Sequence, residues 1–143
     1  MTQGPGKPKK TEQIEFHNHE PKVESLRDAV IEGLSKDPKA IHSKFFYDDR
    51  GAQLFEEICT LDEYYPTRTE IGILEHNAPE IAELAGPDCH LIEFGSGASV
   101  KVRILLEALQ APRSYVPIDI SKDALLGAAE GLAQEFEEVP IVA

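Results

Sequence analysis

"LIEFGSGASVKVRILLEAL", residues 91–109, decides how the rest of the chain is read. Residues 91–94 suit a short strand, and Gly95 to Ser99 a tight loop. From Val102 onward, Val102, Leu105, Leu106 and Leu109 fall on one face of a helix. Glycine at 95 and 97 lets the backbone turn sharply and approach a ligand with no Cβ in the way. The helix that follows aims free N–H groups and the positive end of its dipole at the bend, which favours an anionic group there. A phosphate, a carboxylate, a dinucleotide and a bare strand-to-helix turn all remain compatible with this much.

Working downstream, "YVPIDI" at 115–120 reads as a second strand. Ser121 is placed to cap a helix whose apolar face is Leu125, Ala129, Leu132, Ala133 and Phe136. "VPIVA" then opens a third strand. Strand, helix, strand, helix, strand is the βαβαβ pattern of a parallel sheet, so an α/β class with the first half of a Rossmann-like fold is expected. Asp119 closes the second strand, where this fold sets a carboxylate beside the ribose hydroxyls of a nucleoside. The dinucleotide fingerprint requires a third glycine where Val100 stands, and a branched residue there holds helix and strand too far apart for the pyrophosphate. A doubly wound sheet also pairs its first strand on both sides, and no fourth strand is in the sequence. Residues 91–94 are therefore expected to present an apolar, unpaired edge. This implies the front part of a longer protein or, second, a partner chain that supplies the missing strand.

Upstream, Val23, Leu26, Val30, Ile31 and Leu34 lie on one face of an amphipathic helix closed by Pro38. Leu54, Phe55 and Ile58 suggest another short helix. Thr67 and Glu70 form a capping box for a third, which Pro79 should kink or stop near Asn77. Residues 1–21, with Gly4, Pro5, Gly6 and Pro8 among lysines, read as a flexible leader. "HNH" at 17–19 belongs to that leader as a solvated stretch, and no metal site is expected. The organisation expected is thus a tail at 1–21, a helical segment at 22–86 and the start of a nucleoside-binding domain at 87–143.

Fourteen Lys and Arg against 26 Asp and Glu leave a net charge of −12. So acidic a surface repels nucleic-acid backbones and anionic membranes, and neither is expected as a partner. Cys59 and Cys89 stand alone and suit a reduced, cytoplasmic protein, with no export signal or membrane-spanning run.

The loop itself has the form E-x-G-x-G-x-S: Glu93, Gly95, Gly97, Ser99. That spacing resembles the first motif of S-adenosylmethionine-dependent methyltransferases, in which the amino-acid end of the cofactor lies over the loop. A cation in the first turn of a helix is unfavourable against the dipole, and a nearby anion would account for Lys101. Beyond the loop, "KFFYDDRGAQLFEEICTLDEYYPTRTEIGIL" at 44–74 and "YVPIDIS" at 115–121 make residues 22–143 similar to the histidine-specific N-methyltransferase family. That family includes the ergothioneine-pathway enzyme that converts L-histidine to its trimethyl betaine.

The resemblance implies a Rossmann-like methyltransferase fold preceded by a helical segment. It also implies that Gly95, Gly97, Ser99 and Lys101 contact S-adenosylmethionine and that Asp119 binds its ribose. Tyr64, of the pair before Pro66, would offer its hydroxyl to the imidazole of L-histidine, with Tyr47 a second candidate for the same pocket. Most of the substrate pocket would lie beyond residue 143, no residue of 1–143 is named as a catalytic base, and the full-length protein would be a monomer. Some relatives methylate a prenylated tryptophan instead. A non-catalytic or partner-dependent cofactor-binding fragment is the alternative from another class.

Overall fold

The computed structural model describes residues 13–19, 24–97 and 99–143. Four parallel strands form one sheet: β1 (Ile14–Glu15), β2 (His90–Phe94), β3 (Ser114–Ile118) and β4 (Ile141–Val142), in the order β1-β4-β3-β2. The helices are α1 (Leu26–Ser35), α2 (Asp49–Cys59), α3 (Pro66–Ala85), α4 (Val100–Ala108) and α5 (Lys122–Glu135), with a 3-10 turn at Ser43–Phe46. The βαβαβ unit read from the sequence is present as β2-α4-β3-α5-β4, a partial Rossmann-like arrangement.

Its core follows from the two periodicities. Val102 and Leu106 of α4 and Ala129, Leu132 and Ala133 of α5 close over Tyr115 and Ile141 of the sheet. Leu91 packs on this cluster from β2, while the alternate residues Ile92 and Phe94 are exposed, Phe94 at 82%. Among the described residues β2 pairs with β3 alone, so the expected apolar edge is there.

Three expectations need correction. The leader does not extend through residues 13–17. Ile14 and Glu15 pair in parallel with Ile141 and Val142, and His17 N–H donates to the Ala143 carbonyl at 2.6 Å. Gln13 Nε2 adds bonds to the Phe136 and Val139 carbonyls. The physical reason is the edge of β4, whose free backbone groups need partners. Residues 1–12, 20 and 21 of the leader, and Val23 of the first helix, lie outside the described residues.

The capping box at Thr67 and Glu70 does not form. Helix α3 begins two residues earlier, with Tyr65 as N-cap and Pro66 in its first turn, where proline's fixed φ suits the helix and its missing N–H costs nothing. Thr67 Oγ1 instead lies 3.3 Å from Cys59 Sγ, and Glu70 turns to Lys101. Nor does Pro79 stop the helix, which runs unbroken from Pro66 to Ala85. The carbonyl it leaves unpaired belongs to Glu75, an exposed residue that water can serve, and α3 is held beyond it by packing against α4.

Candidate functional site

The site grows from the tips of β2 and β3. Gly95 has φ +70° and Gly97 φ +48°, conformations an L side chain rarely adopts. Gly95 N–H donates to the Ile118 carbonyl at 2.8 Å, tying the loop to the end of β3. Nothing lies within 4 Å of where a Gly95 Cβ would sit, so the loop borders open space. Gly97 N–H points at Asp119 Oδ2 across 3.5 Å, and Asp119 Oδ1 accepts from Ser121 N–H at 2.9 Å. Asp119 therefore replaces the expected Ser121 side chain in organising the start of α5, as Ser121 makes no side-chain cap bond.

Ser99 is the N-cap of α4 yet makes no side-chain cap bond, and it holds φ +59°. Its Oγ and that of Ser96 are buried and without partners among the described residues. Buried hydroxyls are nearly always hydrogen-bonded, so two orphans in one loop mark a surface built to face something else.

Beneath the loop, Tyr115 Oη donates to Glu93 Oε2 at 2.6 Å, and the tyrosine is wholly buried. Burial first, and then the bond to Glu93, push the Tyr115 hydroxyl far above the ordinary phenol range. Lys101 Nζ lies 3.1 Å from Glu70 Oε1 of α3. A cavity of about 190 Å³ between α3, β2 and α4 is lined by Glu70, Glu93 and Lys101 together with Leu74, Val102 and Leu105. The anion that offsets Lys101 against the helix dipole is thus, within the chain, Glu70.

The aromatic segment forms a second concavity. A cavity of about 460 Å³ is lined by Phe45, Phe46, Tyr47, Leu54, Phe55 and Ile58. Asp48 caps α2 by accepting from Gly51 N–H at 2.7 Å. Gly51 admits the 3-10 turn against α2, since a Cβ there would stand 1.6 Å from the Phe46 carbonyl oxygen. Tyr64 meets the Phe55 ring edge-on at 5.9 Å, and Phe55 in turn lines the cavity with Tyr47. Arg68 fixes the turn before α3, donating to the Leu61 and Asp62 carbonyls at 2.8 Å each. Tyr65 is exposed, as is Tyr47, while Tyr64 is half-buried.

Residues 26–143 match the model of a family described as histidine-specific methyltransferase, SAM-dependent. The chain belongs to that family. It is 42% identical over 120 residues to the histidine N-alpha-methyltransferase of Mycobacterium tuberculosis, an alignment covering 82% of this chain and 37% of the relative. Its identity to the ergothioneine biosynthesis protein 1 of Neurospora crassa is 41% over 91 residues, covering 62% of the chain and 10% of the relative. To the 4-dimethylallyltryptophan N-methyltransferase of Claviceps purpurea it is 32% over 120 residues, covering 82% and 33%. The chain thus spans a little over a third of the length of the first of these.

In this member of the family, Gly95, Gly97, Ser99 and Asp119 gather around one loop. Lys101 sits two residues further on, turned to α3. Tyr47, at the second cavity, and Tyr64, against Phe55, lie apart from that loop on the segment that leads into α3. Sequence reading gave no site role to Phe55, which meets Tyr64 edge-on, or to Ser96, the second orphan hydroxyl. It gave Glu70 only a capping role, not a place at the site. Phe55 was visible only as an apolar helix position, and Ser96 sits unmarked between the two glycines. No helix among the described residues is long and apolar enough to cross a membrane.

Proposed function

We propose that the complete protein transfers methyl groups from S-adenosylmethionine to the α-amine of L-histidine, giving its trimethyl betaine. The observation that carries this reading is the loop at 95–99, where two buried, unpartnered hydroxyls and Asp119 converge beside open space. The substrate is supported by relatives at 42% identity that are named for histidine, against 32% for one named for 4-dimethylallyltryptophan.

The residues present fit the cofactor. Gly95 leaves room for its amino-acid end, and Ser99 Oγ supplies a free polar atom. Gly97 N–H makes only a long bond to Asp119 and can turn to a ligand. Lys101 would take the cofactor's carboxylate, and Asp119 its ribose hydroxyls. When bound, S-adenosylmethionine supplies an electrophilic methyl group on a sulfonium sulfur.

The chain's own contribution is to bind and to orient. Tyr64 would offer its hydroxyl to the imidazole, with Tyr47 lining the same aromatic pocket beside Phe55. Such anchoring holds the amine nitrogen, deprotonated so that its lone pair is free, in line for attack. Positive charge passes from sulfur to nitrogen without net creation, so positioning and exclusion of water matter more than stabilising a new charge. The two free thiols, Cys59 and Cys89, suit work in a reducing cytoplasm.

Calorimetric titration of the complete protein with S-adenosylhomocysteine and then histidine tests the reading. Histidine binding to the loaded protein supports it, and no histidine binding in either order overturns the substrate. Binding of 4-dimethylallyltryptophan in its place would move the protein to the other branch of the family.

A further inference from the structure

Lys101 stands in the first turn of α4, where the helix dipole disfavours a cation, on a flexible four-carbon stem. Left alone, its ammonium would extend into water. Instead Glu70 Oε1 draws it to 3.1 Å, at a cavity also lined by Glu93, two residues before Gly95. An exposed ion pair contributes little to stability, so holding the fold together is a weak explanation for this one. Its placement says more. Glu70 lies four residues after Pro66, about 6 Å along the axis of the helix that starts at the tyrosine pair. The contact joins the segment carrying Tyr64 to the helix carrying Lys101.

We propose that Glu70 is a positioning residue: its carboxylate holds the Lys101 ammonium at the mouth of the glycine loop, ready for the carboxylate of the cofactor's amino-acid end. The inference rests on the assignment of Lys101 to the cofactor given above. With the ammonium already placed, less side-chain freedom is lost when the ligand binds. Glu70 also makes the start of α3 sensitive to how firmly Lys101 is engaged, which gives the two halves of the site a direct mechanical connection.

The experiment is titration of the complete protein with S-adenosylhomocysteine, comparing wild type with E70Q, E70D, K101M and the E70Q/K101M double variant, with thermal melts alongside. E70Q should bind about three- to tenfold more weakly at an unchanged melting temperature, because the ammonium must then be ordered on binding. E70D, which keeps the charge, should recover part of that loss. The double variant should bind no more weakly than K101M alone, since Glu70 acts only through Lys101. Wild-type affinity in a folded E70Q, while K101M is impaired, overturns the positioning role. So does tighter binding in E70Q, which would make Glu70 a competitor for the ammonium, and so does a double variant whose loss is the product of the two single losses. Wild-type affinity in both single variants removes Lys101 from the cofactor, and the assignment beneath the proposal fails with it.

Discussion

The backbone N–H of Gly97 faces Asp119 Oδ2 across 3.5 Å, so the loop after β2 and the tip of β3 share one carboxylate. That bond is at the long limit of a hydrogen bond, while Ser121 N–H, at 2.9 Å, fixes the other oxygen. The acid is thus oriented by one strong contact and keeps a lobe available. Replacing Asp119 with Ala in the complete protein should weaken S-adenosylhomocysteine binding by about 1–3 kcal/mol, the worth of a charge-assisted hydrogen bond. Calorimetry reads this directly, and an unchanged affinity would take Asp119 off the ribose.

Ser99 combines a left-handed backbone with a buried hydroxyl that has no partner among the described residues. Glycine at this position would relieve backbone strain of about 1 kcal/mol and remove an unsatisfied polar atom. Ser99→Gly should therefore raise the midpoint of urea unfolding while lowering cofactor affinity. Losses in both would show that the hydroxyl serves the fold.

Tyr115 gives a pH signature. Its phenol keeps its proton in the folded protein well past the pH at which it ionises in the unfolded chain, near about 10. Above that pH the unfolded state binds fewer protons than the native one, so stability falls as pH rises. Below about pH 10 the stabilisation is present in full, because both states are then protonated. Stability to urea should fall across the alkaline range, with the Tyr115 share of the tyrosinate absorbance appearing only on unfolding. Tyr115→Phe should remove that slope.

Tyr64 is tested by its hydroxyl alone. Tyr64→Phe keeps the edge-on packing against Phe55 and deletes the one polar atom. It should raise the KM for histidine by about 1 kcal/mol or more, a neutral hydrogen bond's worth, with cofactor affinity unaltered. A fall in kcat at constant KM would place the tyrosine nearer the reacting nitrogen than the imidazole.

Local patterns in the sequence carried far. The glycine loop, the face of α5 and the parallel βαβαβ order all follow from short-range spacing, and the structure has them. What escaped are contacts between residues distant along the chain. Ile14 and Glu15 form too short a run to show any period, yet they complete an edge. Thr67 and Glu70 fit a capping box perfectly as letters, but proline at 66 had already started the helix and the glutamate had a lysine to meet. Pro79 reads as a break because the eye supplies no neighbouring helix. Tyr115 reads as an apolar strand residue. Only the register that sets it beside Leu91 brings its hydroxyl within reach of Glu93, two residues along on the adjacent strand.

The pairing of Ile14 with Ile141 has a consequence for how the molecule is made. A ribosome releases the first of these strands long before the second exists, so the early segment must wait, unpartnered, through most of this stretch of synthesis. Closing so large a loop costs more chain entropy than joining β2, α4, β3 and α5, which are neighbours in sequence, so the pairing is expected after theirs. The N-terminal strand then acts as a late seal on a nearly finished sheet, and a fusion partner joined close ahead of Gln13 would sit where that seal has to settle.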